Sequence, residues 1–121
     1  WIKDIIQLHG FIPGDISFIF SSDEYLLDLN RQYLSHDYYT DIITFNYNQD
    51  DLLSGDIFIS IDRIKENANK FSVSDNEELK RVIVHGILHL VGFNDEKENE
   101  IFEMRKAEDI ALSKVKDLII I

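Results

Sequence analysis

Cysteine is absent from this 121-residue chain. That absence excludes disulfide scaffolds, thiolate metal sites, iron–sulfur clusters and cysteine nucleophiles together, so any metal would have to be held by imidazole and carboxylate. Proline occurs once, at Pro13, and glycine five times. No Pro/Gly-rich linker, repeat or low-complexity stretch divides the chain, and one domain over residues 1–121 is expected at this length. The first residue is Trp1, so the N-terminus is expected to be a trimmed one that carries no targeting information. No apolar run approaches the ~20 residues of a membrane span, and no membrane role is expected. The short run Leu118 to Ile121 is expected to pack on the body of the domain.

Positive charge is scarce as well. Twelve Lys and Arg face 23 Asp and Glu, a net charge of −11. This balance weighs against broad, sequence-independent nucleic-acid binding, which depends on cations releasing counterions from phosphates. A nucleic-acid role would need a local patch drawn from Arg31, Arg63, Lys65, Lys70, Lys80, Arg81, Arg105 and Lys106; the alternative is scattered surface charge. A reducing cytoplasm suits a chain without thiols.

What is present reads as an ordinary globular composition, 45% apolar and 29% charged. Ile16, Phe18 and Phe20 follow Pro13-Gly14-Asp15 with period-two spacing and predict a strand at 15–21. Ser21-Ser22-Asp23-Glu24 supplies N-cap chemistry for a helix at 23–34. The β-branched and aromatic segments 40–45 and 55–61 predict two further strands, with a polar loop or irregular strand at 47–54 between them. Asp62 is expected to cap a helix to about Phe71, Ser74 to open one at 75–91, and the last helix to occupy 96–114. Strands followed by helices define an α/β or α+β class.

The 75–91 helix is apolar around most of its circumference, with Leu79, Val82, Ile83, Val84, Ile87, Leu88, Leu90 and Val91. Its polar stripe is His85 and His89, four apart and therefore on one face. Gly92 allows the chain to turn back, and Asp95 follows three residues later. Two imidazoles and one carboxylate in this spacing suit a single tetrahedral Zn²⁺ with one position left to solvent, the arrangement of catalytic sites. Hydrogen-bonded core histidines are the alternative reading. The spacing equals the metzincin pattern H-E-x-x-H-x-x-G-x-x-H except that Gly86 replaces the glutamate, so a peptidase would lack its general base.

The stretch Leu29-Asn30-Arg31-Gln32-Tyr33, Asp37, the run Thr40-Asp41-Ile42-Ile43-Thr44-Phe45, Gly55-Asp56-Ile57 and the block His85-Gly86-x-Leu88-His89-Leu90-x-Gly92-Phe93 resemble the YbeY family of bacterial rRNA maturation factors over about residues 15–113. The resemblance implies a zinc-dependent, single-strand-specific endoribonuclease acting on the 3′ end of small-subunit rRNA and in ribosome quality control. It also implies a mixed, about four-stranded sheet packed with helices and a metzincin-like metal helix, with single-stranded RNA and the small ribosomal subunit as partners of a monomer. One Zn²⁺ would sit on His85, His89 and Asp95, with Asp95 standing where the family usually has a third histidine. Arg31, Asp41, Thr44 and Asp56 fall on matching positions as support or substrate contacts, Met104 and Glu108 match on the last helix, and Leu34 replaces a phosphate-binding arginine. The general base is unassigned. A metallopeptidase and a non-catalytic zinc-containing assembly factor are the competing readings.

Overall fold

A computed structural model describes residues 1–115 and 118–120. The elements in order are α1 (Ile2–Leu8), β1 (Ile12–Ser21), α2 (Asp23–Leu34), β2 (Ile42–Asn46), β3 (Leu52–Ser60), α3 (Ile61–Phe71), α4 (Asp75–Leu90) and α5 (Glu98–Ser113). The sheet has three strands in the order β1-β3-β2, not about four. Among the described residues three segments pair as strands, and the first residues form a helix that packs Ile5 and Ile6 into the core. β3 is central, parallel to β1 and antiparallel to β2.

Alternation along β3 explains the layering. Leu53, Gly55, Ile57 and Ile59 are buried on one face, against α4, while Phe58 on the other face meets Tyr25 of α2 with ring centroids 6.2 Å apart. Helix thus covers both faces of the sheet, and α4 is buried by β2 and β3, α3, α5 and α1 around it. Ten of its sixteen residues are buried, as its nearly unbroken apolar circumference requires.

Several boundaries differ from expectation for local reasons. β1 starts at Ile12 and is irregular between Pro13 and Ile16, where proline is tolerated because the strand lies at the sheet edge. The polar 47–54 segment is split: Gln49 and Leu52 form an isolated bridge, and β3 already begins at Leu52. Ser60, not Asp62, caps α3 by accepting the Arg63 N–H. Asp62 instead accepts the Asp23 N–H at 3.0 Å, serving the first turn of α2 from a neighbouring helix. The terminal run does not bury its side chains; Ile119 is 77% exposed, and Leu118 and Ile120 bond to Asn76 through their backbone. Ile121 lies outside the described residues.

Gly86 has a packing reason. A Cβ there would stand 2.8 Å from Ile42 Cδ1 and 3.1 Å from Ile57 Cγ2, so the missing side chain lets α4 lie directly on the sheet. Gly86→Leu is expected to lower the unfolding free energy by about 1–3 kcal/mol or more through overpacking, measured by urea denaturation.

Candidate metal centre

The end of α4 is closed by a Schellman turn. The Gly92 N–H donates to the His89 carbonyl at 3.1 Å and the Phe93 N–H to the Leu88 carbonyl at 2.9 Å, with Gly92 at φ +111°. Phe93 packs against the core and meets the His9 ring edge-on at 5.3 Å, so the chain folds back over the helix end. Asn48 Nδ2 donates to the Leu90 carbonyl at 2.9 Å and ties the same end to the β2–β3 connection.

This turn brings three donors together. His85 Nε2 and His89 Nε2 are 3.0 Å apart, and Asp95 Oδ2 lies 3.1 Å from the first and 3.5 Å from the second. These separations bracket the ~3.3 Å edge of a tetrahedron with bonds of ~2.0–2.1 Å, the lengths typical of Zn–N and Zn–O. No fourth His, Asp or Glu joins the group among the described residues. The side chains of His85 and His89 are 23% and 24% exposed and that of Asp95 39%, so the cluster is open to solvent.

The outer nitrogens fix what the inner ones present. His89 Nδ1 is 3.0 Å from the Phe93 carbonyl, which only accepts, so this nitrogen carries a proton. His85 Nδ1 is 2.8 Å from the buried Glu108 carboxylate, which in turn accepts from Arg81 Nη1 at 2.8 Å. In neutral rings both Nε2 atoms are then bare lone pairs aimed at each other and at a carboxylate oxygen. Such an arrangement calls for a cation at its centre, and the donor set fits a divalent metal of zinc's type.

Burial alone would lower the His85 pKa, but the hydrogen bond and charge of Glu108, then Asp95 and Asp41, outweigh it and raise it. His89 is lowered, by burial first and then by the charge on His85. Burial would raise Glu108, yet the hydrogen bonds from His85 and Arg81 hold it below its ordinary value. Asp41 is raised, chiefly by burial against the pull of His85.

Two hollows meet at the cluster. The larger, about 960 Å³, lies between α3, α4 and α5 and includes His85, Asp95, Asp41, Glu78, Arg81 and Glu108 in its lining. The smaller, about 260 Å³, is lined by His89, Thr44, Thr40, Leu34, His36 and Tyr38. Of the four sequence-assigned support residues, the fold brings Asp41 and Thr44 to the site. It does not bring Arg31 or Asp56. Arg31 is exposed and paired with Asp28 and Asp37, and Asp56 accepts from Tyr47 on the sheet face turned toward α2. Of the eight candidate cations, Arg63 is held by Asp23 and Glu66, Arg81 by Glu108 and Asp109, and Lys80 by the Val115 carbonyl, while Arg105 joins Arg81 and Lys80 in the lining of the larger hollow.

Glu108 is the site residue that sequence reasoning left without a role. A signal was there: it lies four residues after Met104 and three before Ala111, both buried, which places a carboxylate on the buried stripe of α5. Asn30 is similar. Buried on α2, its Nδ2 donates to the Tyr38 carbonyl at 2.9 Å and fixes the loop that leads to Thr40 and Asp41.

An α+β fold carrying a three-donor, metal-type centre at the end of a buried helix defines the class. Within it, a family model described as Endoribonuclease YbeY matches residues 2–116. Relatives named Endoribonuclease YbeY include one from Bacteroides thetaiotaomicron, 55% identical over 113 residues, covering 93% of this chain and 82% of that protein. Another, from Azobacteroides pseudotrichonymphae, is 51% identical and covers 96% and 84%. The solution structure of a Thermotoga maritima protein matches with a TM-score of 0.62 at 27% identity, over 95% of this chain and 79% of that one. The chain belongs to the YbeY family.

The coupling of His85 to Glu108 sets a pH dependence of stability. Glu108, lowered from 4.5, contributes stability that is present above that value and lost as pH falls through its folded pKa. His85, raised from 6.5, contributes stability that is complete below that value and lost as pH rises through its folded pKa. Metal-free protein is therefore expected to be most stable at weakly acidic pH. Urea unfolding followed from pH 3 to 8 should show a maximum that Glu108→Gln flattens on both sides.

Proposed function

We propose that this chain is a zinc-dependent endoribonuclease that cuts single-stranded RNA during rRNA maturation, with the 3′ end of small-subunit rRNA as its target. The observation that carries the reading is the meeting of three ligand atoms from His85, His89 and Asp95 within 3.5 Å on a solvent-open face. Membership of a family whose curated relatives are named endoribonucleases supports the choice of RNA. These three residues would hold the ion, which when bound supplies Lewis-acid activation of water and neutralises charge developing on the phosphoryl group.

The rest falls to the chain's own side chains. Glu108 and the Phe93 carbonyl hold the two rings in the tautomer that turns Nε2 inward. Asp41 lines the hollow beside His85 and Asp95, and its carboxyl, pushed up by burial, is suited to take a proton from the attacking water. A single strand laid from one hollow to the other presents a phosphate to the cluster.

The peptidase alternative is disfavoured by Gly86, whose place on the sheet leaves no room for a glutamate. The assembly-factor alternative draws on the scarcity of free cations and is separated by mutation. Asp95→Ala and His89→Ala are expected to lose metal, measured by elemental analysis, together with cleavage of single-stranded RNA, while circular dichroism remains that of the folded protein. Asp41→Asn should keep its metal and lose about 10²–10⁴-fold in kcat. Glu108→Gln should weaken metal affinity about 10- to 100-fold. Retained cleavage after full chelation would overturn the proposal.

A further inference from the structure

Two flat rings stand uncovered in the smaller hollow. His36 and Tyr38 stack on each other with centroids 5.0 Å apart and planes 20° from parallel, and Tyr38 Oη lies 2.9 Å from His36 Nδ1. Both share the lining of this hollow with His89, one of the three metal-type ligands. Yet His36 is exposed, and Tyr38 is 55% exposed. An aromatic pair left in water forgoes the large apolar burial that such side chains ordinarily supply.

The pair is held in place by its neighbours. Buried Asn30 grips the loop on either side of Asp37: its main-chain carbonyl accepts the His36 N–H at 3.0 Å, and its Nδ2 donates to the Tyr38 carbonyl at 2.9 Å. The residues that alternate with the pair are taken up by α2, since Asp37 pairs with Arg31 and the Tyr39 hydroxyl donates to Glu24 at 2.7 Å. Positions 37 and 39 are thereby turned to the helix, and the rings at 36 and 38 are left to the hollow. Fixing a loop in one conformation costs entropy, so rings fixed beforehand beside the cluster bind a flat partner with less of that cost outstanding.

The chemistry of the lining says which partner. Among the described residues it contains no carboxylate, only amide, hydroxyl, imidazole and phenol groups with Leu34, Ile42 and Ile43. The larger hollow, in contrast, sets Asp41, Glu78 and Glu108 beside its cations. In a chain of net charge −11, the smaller hollow is therefore the side of the cluster where a polyanion meets no adjacent acid. Stacking on an aromatic face binds single strands without a cation and tolerates any base, because every base has a π-face. Bases within a duplex are stacked on one another, whereas unpaired ones are free to stack on protein rings.

Resting on the ribonuclease reading above, we propose that His36 and Tyr38 form a platform on which one unpaired base of the RNA strand stacks, beside the phosphate presented to His85, His89 and Asp95. The platform recognises a base as such and does not choose among the four.

Two arms test it. In the first, adenosine 5′-monophosphate and ribose 5-phosphate, which differ by the base alone, are titrated into zinc-loaded protein and followed by nuclear magnetic resonance. The nucleotide should bind about fivefold or more tightly, the lower end of what one aromatic stack contributes, and its adenine H2 and H8 signals should move upfield under the ring currents. The double variant His36→Ala, Tyr38→Ala should lose both the advantage and the upfield shift, while Tyr38→Phe, which keeps the ring, should retain them. Equal affinities for the two probes, or an advantage that the double variant keeps, would overturn the proposal. Broadening of the two ring signals with protein concentration alone, abolished in the double variant, would assign the rings to a contact between copies of the chain and equally overturn it. In the second arm, unstructured RNA carries a single abasic residue moved position by position along the strand. The KM for cleavage should rise about fivefold or more at one fixed distance from the cut, with kcat little changed, and the double variant should show that raised KM on intact RNA with no further rise from the abasic residue. A positional effect that the double variant retains in full would place the base elsewhere and sink the platform. No cleavage of any RNA would count against the ribonuclease reading alone, because the first arm still decides whether a base stacks on these rings.

Discussion

Three lone pairs held face to face are the constraint around which this fold is arranged. Bringing His85 Nε2, His89 Nε2 and Asp95 Oδ2 within 3.5 Å of one another is unfavourable without a cation, so the chain must hold each group from behind. It does so with three different devices: the Glu108 side chain from α5, the main-chain carbonyl of Phe93, and a glycine turn that returns the chain to the helix end. Arg81 completes the first by neutralising a carboxylate that would otherwise be buried beside nothing but an imidazole. The apolar girth of α4 serves the same end, because a helix clamped on several sides cannot rotate its polar stripe away.

Much of this was legible in the chain itself. The i, i+4 histidines, the turn glycine and the carboxylate beyond it specify the cluster through helical periodicity alone, and the three strands and the helices from 23 to 113 follow from local pattern. What was hidden depends on contacts distant in sequence. Ser60, not Asp62, caps α3 because Asp62 is drawn to α2, a preference no window along the chain reveals. Arg31 was a candidate for support or substrate contact, yet Asp28 and Asp37 claim it on the outside of α2. Gly86 read as a missing glutamate, but its role is steric, set by Ile42 and Ile57 from strands some thirty to forty-five positions earlier.

The charge balance has a meaning that composition alone did not give. Four of the eight candidate cations, Arg31, Arg63, Lys80 and Arg81, are held by partners within the structure, and Lys80, Arg81 and Arg105 stand beside acidic residues in the lining of the larger hollow.

The two rings are secured by different kinds of atoms. His89 leans on a peptide carbonyl, which every residue type at position 93 would supply, whereas His85 leans on a carboxylate that one codon change can delete. Sequence drift can thus erode one support and never the other, and the asymmetry makes α5 the place where a descendant of this protein would first lose its grip on the centre while its backbone stayed intact.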